Sequence, residues 1–154
     1  MNRREVFQVL SGAATAYAAP PADYKPRALS SDEYALVTRV ANLILPADAS
    51  SAGAGDAGAA FFIDTVLHHA ASASRDEFRA GLAPMAGLSG PALDLALAKL
   101  AADESRPGAF FTRLKSMVID AYCLTPEGSK YLKYNGDRAI DEFTGCNHPE
   151  HQRV

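Results

Sequence analysis

No stretch of this 154-residue chain approaches the roughly 20 strongly apolar residues that a membrane-spanning helix needs. No basic run appears beyond Arg3-Arg4, and the formal net charge is −3. There is thus no electrostatic case for a nucleic-acid partner. β-Branched residues are scattered, while alanine and leucine are heavily used, which favours helices over sheet. The chain has no G-x-S-x-G. Ser72 and Ser74 lie close to His68 and His69 in sequence, but proximity on one helix does not build a triad. His68 and His69 read as half-exposed helix surface, since adjacent residues point about 100° apart and are poorly placed to share one metal. Gly53, Gly55 and Gly58 have the spacing G-x-G-x-x-G, but they follow a helix rather than a strand. Without a βαβ unit the match reads as a flexible connection, and the chain is not expected to hold FAD or NAD alone. No internal repeat is visible.

What is present suits one domain with one core: 48% hydrophobic and 21% charged residues. "APPADYKPRAL" (19–29) holds three prolines and reads as an extended linker. Ser30 and Glu33 have capping-box spacing and open a helix carrying Tyr34, Val37, Val40, Ala41 and Ile44. Pro46 ends it. The Gly/Ala/Ser-rich loop 47–58 follows, then a helix over about 58–71. Ser74 and Glu77 suggest another capping box, for a short helix bearing Phe78 and Leu82 that Pro84 closes. Ser89 and Pro91 open a fourth helix striped with Leu93, Leu97 and Leu100. The strongest helix runs over about 107–124, with Phe110, Leu114, Met117 and Ala121 on one face, flanked by Phe111, Val118 and Tyr122. Thr125-Pro126 ends it or caps a short turn.

The expected fold is all-α: a small bundle of about five helices over residues 30–132, with an irregular tail over 133–154. A signal segment (1–19) and a Pro-rich linker (20–29) precede the bundle. Neither the tail nor the 47–58 loop is expected to bury itself easily. Tyr122, Tyr131, Tyr134 and Phe143 cluster in or near the tail. Two readings stand side by side: a partner surface, because rings bring large contact area at low entropy cost, or a tail that wraps its own bundle.

The N-terminus has the shape of an export signal. Arg3 and Arg4 supply the positive start, a weakly apolar stretch follows, and Ala16-Tyr17-Ala18 or Ala14-Thr15-Ala16 offers a cleavage site. Low hydrophobicity with paired arginines points to the twin-arginine route, although Val6-Phe7 stands where Phe-Leu is usual. That route moves folded cargo. A chain with no evident cofactor would need it if it leaves the cell bound to something already folded.

The two cysteines are Cys123 and Cys146. An exporting compartment permits a disulfide between them, which would tie the tail to the long helix and add about 3 kcal/mol by loop-closure entropy. Free or partner-facing thiols are the second reading. The third is a metal site from Cys123, Cys146, His148 and His151, a donor set able to bind zinc tetrahedrally although its spacing fits no common motif.

Taken in order, several stretches resemble the gluconate 2-dehydrogenase subunit 3 family. "ANLILPADASSAGAGDAGAAFFIDTVL" (41–67) is similar to the family segment reading I-P-A-D, then an Ala/Gly-rich loop, then F-I-D; here these are Leu45-Pro46-Ala47-Asp48 and Phe62-Ile63-Asp64. "FFTRLKSMVIDAYCLTPEGSKYLKYNGD" (110–137) resembles its long helix, a Pro-Glu-Gly element and a Gly-Tyr region, and "FTGC" near the end also fits. Cys123 stands where an aromatic is more usual, and Lys133 replaces a common glycine before Tyr134.

The resemblance implies a non-catalytic small subunit of a periplasmic, membrane-associated flavin dehydrogenase. It implies a glucose-methanol-choline type partner that carries FAD and oxidises a sugar, sugar acid or polyol. A cytochrome c subunit with haem c would often take the electrons. The export signal would then serve a folded, FAD-loaded partner lacking its own. On this reading Pro46 and Asp48 shape the first loop, while Tyr122, Pro126, Glu127, Tyr131 and Tyr134 form the partner surface. The alternative is a free-standing exported helical protein with the Cys/His metal site.

Overall fold

A computed structural model of the chain describes residues 21, 23–103 and 106–133, with the backbone alone at 106–108. Arg3, Arg4, Tyr134, Cys146, His148 and His151 lie outside the described residues. Six α-helices and a short 3-10 turn are present, and no strand occurs among the described residues. The all-α expectation holds, with one short helix beyond the five expected.

Helix α1 is Ser31–Ile44 and opens on the capping box its sequence announced. The Glu33 amide donates to Ser30 Oγ at 3.2 Å, and the Ser30 amide donates to the Glu33 carboxylate at 2.7 Å. Arg79 donates to both oxygens of the same carboxylate, at 2.9 and 3.1 Å, so the cap is also tied to a later helix. The helix stops before Leu45-Pro46. Leu36, Val37, Val40 and Ala41 are its buried face, with Tyr34 and Ile44 packed beside it.

Helix α2 is Ala59–His69 and buries Ala59, Ala60, Ile63, Asp64 and Leu67. Helix α3 is Ser72–Leu82, followed by the 3-10 turn Ala83–Met85, in which Pro84 helps to end the helix. The Ser74–Glu77 capping box is not made. Only Ala70 and Ala71 separate α2 from α3, so the chain turns early, and the Ser74 amide is already bonded to the Ala71 carbonyl at 3.0 Å. With its own amide inside the first turn, Ser74 cannot serve as a cap.

Helix α4 is Gly90–Ala102, with Pro91 in its first turn and Leu93, Leu97 and Leu100 buried. Helix α5, Arg106–Cys123, touches α1, α2, α3 and α4 and is the spine of the bundle. Leu114, Val118, Ala121 and Tyr122 are its buried side chains, and Phe110, Phe111 and Met117 pack against the core. Phe110 meets Phe78 edge-on, with centroids 5.5 Å apart. Its ring lies over Gly81, where a Cβ would fall 2.3 Å from it.

Helix α6 is Pro126–Tyr131. Thr125 caps it by accepting the Gly128 amide at 3.1 Å and donates its hydroxyl to the Tyr122 carbonyl at 2.7 Å. One side chain thus ends α5 and starts α6, which makes the corner a fixed angle rather than a loose turn.

Candidate functional site

Three places in the structure bear on function, and the described residues singled out from sequence fall into two of them. The first is the loop after α1. Asp48 is exposed and accepts four bonds, from the amides of Ser50 (2.7 Å) and Ser51 (2.8 Å) and from their hydroxyls (2.8 and 3.2 Å). The Ser50 amide and hydroxyl, then those of Ser51, outweigh desolvation and hold its carboxyl below the usual range. All four converge on Oδ1, so one carboxylate oxygen is committed to the loop. Pro46 is exposed beside it.

The rest of that loop departs from the flexible connection its composition suggested. Gly53, Ala54 and Gly55 are buried. The Asn42 side-chain oxygen accepts the amides of Gly55 at 2.8 Å and Asp56 at 3.2 Å, while its amide nitrogen donates to Asp56 Oδ1 at 3.2 Å. A Cβ at Gly53 would sit 2.5 Å from Asn42 Oδ1, and one at Gly55 would sit 2.2 Å from the Thr38 carbonyl. The glycines therefore allow the loop to lie flat on α1, and no phosphate cradle is needed to explain them.

The second place is the α5–α6 corner. Tyr122, expected on the partner surface, is only 8% exposed and belongs to the core. It falls on the same helical face as Leu114, Val118 and Ala121, which carries it inward. Pro126 and Glu127 are exposed on the first turn of α6, and Tyr131 and Leu132 are exposed at its end, at 61% and 56%. Ile119, on the final stretch of α5, is 37% exposed. Cys123 is half-buried at the end of α5, and Cys146 lies outside the described residues. Among the described residues no group of three His, Cys, Asp or Glu is placed to hold a metal, and no helix is long and apolar enough to cross a membrane. His68 and His69 are exposed, ring against ring at 5.0 Å.

The third place was missed in the sequence reading. Asp64 is fully buried on α2. Its Oδ2 accepts the Tyr24 hydroxyl at 2.5 Å and the Arg27 amide at 2.8 Å; its Oδ1 accepts the amides of Ala28 at 3.0 Å and Leu29 at 2.8 Å. These four donors satisfy a carboxylate whose burial would otherwise be costly. The Tyr24 ring packs edge-on against Phe61 at 4.7 Å and tilted against Tyr34 at 5.9 Å. Burial, then the bond and charge of Asp64, push the Tyr24 phenol up to about 12. Burial and the same charge raise Tyr34. The Pro-rich stretch from Tyr24 to Leu29 is thus docked on the bundle rather than hanging free. The clue was an acid at helical spacing with Ala60, Ile63 and Leu67, on a face bound for the core.

The structural motifs therefore do mechanical work: they fix a loop, a corner and a docked strand. Compared with known proteins, residues 31–105 match the family model described as gluconate 2-dehydrogenase subunit 3. No curated protein and no solved structure matches the chain. The matched segment runs from α1 to the end of α4 and includes Pro46, Asp48 and Asp64.

Proposed function

From the match of residues 31–105 to the gluconate 2-dehydrogenase subunit 3 family model, we propose that this chain is the non-catalytic small subunit of a periplasmic FAD-dependent dehydrogenase. Its partner would be a glucose-methanol-choline type flavoprotein that oxidises gluconate, another sugar or a polyol. A cytochrome c subunit would take the electrons. The paired Arg3 and Arg4 would direct the folded pair through the twin-arginine route, with this chain as the escort.

The observation that supports this reading is the apolar corner at α6. Tyr131 and Leu132 are each more than half exposed on a helix whose start is pinned by Thr125 and Gly128. Large apolar groups held rigidly in water suit a protein partner, because little entropy is lost when they are covered. Pro126 and Glu127 share that short helix, and Tyr134 follows it in sequence. FAD is assigned to the partner, and this chain supplies binding and export rather than a reaction step.

The direct test is mild purification of this chain from its native host, with an absorption spectrum of what accompanies it. Flavin bands in a stoichiometric complex are the expected result. A chain that purifies alone, with no flavoprotein at any stage, would refute the assignment.

A further inference from the structure

The geometry points to a latch: residues 23–29, closed on Asp64, couple the chain's N-terminal segment to the folded state of α1 and α2. The consequence for transport rests on the export reading proposed above; the latch itself does not.

Asp64 sits on α2, 35 to 40 residues from the groups it binds. Three of its four donors are the consecutive amides of Arg27, Ala28 and Leu29, which lead directly into Ser30, the cap of α1. These amides can meet the carboxylate only when α1 and α2 are packed together. The fourth donor is the phenol of Tyr24, whose ring rests on Phe61 of α2 and Tyr34 of α1. The three backbone bonds to Asp64 and the packing of Tyr24 between Phe61 and Tyr34 therefore depend on the α1–α2 interface.

The arrangement is close to all-or-none. Asp64 is 0% exposed with residues 24–29 in place, and that one segment supplies the four donors to its carboxylate. The donors are therefore gained and lost together, since losing one while the rest stay docked leaves a buried oxygen short of a partner. Ahead of Tyr24 the chain makes a turn, with the Tyr24 amide bonded to the Pro21 carbonyl at 2.9 Å. Pro21 is therefore held at one place on the domain while the latch is closed. When α1 and α2 are unpacked, that anchor no longer exists. A signal read by a machinery that takes folded cargo would be presented in its proper setting only by a folded bundle.

Two variants test this. Asp64→Asn replaces one acceptor oxygen with an amide group that cannot accept. Tyr24→Ala removes the phenol and ring but leaves the buried carboxylate with its three backbone donors. It is the variant more certain to fold.

The readout for the latch is limited trypsin digestion of the full chain. The Lys25–Pro26 bond is resistant because proline follows, so the Arg27–Ala28 bond reports on the strand. Cleavage there should be slow in the wild type and faster by roughly tenfold or more in both variants, since proteolysis follows the open population. Circular dichroism of Tyr24→Ala should still show a folded helical bundle. The readout for coupling is the fraction of flavoprotein recovered in the periplasm, which should fall in the same variants.

Unchanged cleavage at Arg27 in both variants would overturn the latch. Faster cleavage with undiminished export would overturn its coupling to transport. A wild-type chain retained inside the cell would sink the export reading instead, and the cleavage rates would still decide the latch.

Discussion

The Asn42 side-chain oxygen lies 2.8 Å from the amide nitrogen of Gly55, thirteen residues further along the chain. This bond, with the one to Asp56, lays a glycine-rich loop on the back of α1. Replacing Asn42 with Ala removes the acceptor while both amides stay in place. The expected cost is about 1–3 kcal/mol, the range for leaving partly buried donors unpaired. Denaturant unfolding should show a lower midpoint with an unchanged slope. A midpoint equal to wild type would mean that the loop is not anchored there.

Gly128 makes a second close approach. A Cβ there would fall 2.0 Å from the Tyr122 carbonyl oxygen, which is backbone and cannot swing aside. Gly128→Ala should cost about 1–3 kcal/mol as an overpacking change and loosen α6 from α5. Thermal unfolding measures the loss. Amide exchange at Ser129 and Leu132, whose amides bond the Thr125 and Gly128 carbonyls, should localise it to α6.

Lys133 is the one non-glycine residue with positive φ among those described, at 55°. The αL conformation is unfavourable for a side chain with a Cβ, and glycine adopts it without that cost. Lys133→Gly should therefore stabilise the chain by about 0.5–1 kcal/mol, relief of strain being partly offset by the greater freedom of glycine when unfolded. A lower melting temperature in this variant would contradict the strain argument.

The pH response has two signs. Tyr24 is raised from its ordinary value of 10.0 to about 12, chiefly by burial and then by Asp64. A raised folded value means that its stabilisation is complete below pH 10 and is lost as pH climbs from there through about 12. Tyrosinate absorbance should show late ionisation from the two raised phenols, Tyr24 and Tyr34, together with release of residues 24–29. Tyr24→Phe should remove the Tyr24 share of that late absorbance. Glu33 behaves in the opposite sense. Burial would raise its carboxyl, but the bonds from Ser30 and Arg79 outweigh this and depress it. Its contribution is present above the ordinary 4.5 and fades as pH falls through the depressed value, so acid should fray the start of α1.

The exposed corner makes a binding prediction. Tyr131→Ala with Leu132→Ala should weaken the proposed complex with a flavoprotein by roughly a few kcal/mol, as for paired hot-spot residues. The isolated chain should keep its melting temperature, because both side chains are exposed and leave the core untouched. Undiminished co-purification would move the partner surface elsewhere on the bundle.

Much of the architecture was legible from the chain itself. The Ser30–Glu33 box, the stop before Pro46, the Leu93–Leu97–Leu100 stripe and the long helix ending at Cys123 follow from side chains three or four residues apart. The Ser74–Glu77 pair shows the limit of the same rule. Its spacing was right, but the two-residue connection from α2 had already begun the helix. Tyr122 was misplaced for a related reason: a tyrosine near an exposed corner looks available until the helical phase of Leu114, Val118 and Ala121 draws it inward.

Local spacing alone fixed where the helices run, because a helical turn closes within four residues and needs no distant partner. Whether Tyr24–Leu29 is a tether or a docked strand, and whether the Gly53–Gly55 loop is loose or packed, was settled only in three dimensions. The groups that decide those points, Asp64 and Asn42, lie 13 to 40 residues away from the atoms they hold. No rule that counts along the chain can say which buried oxygen will find which amide; that depends on how the helices pack.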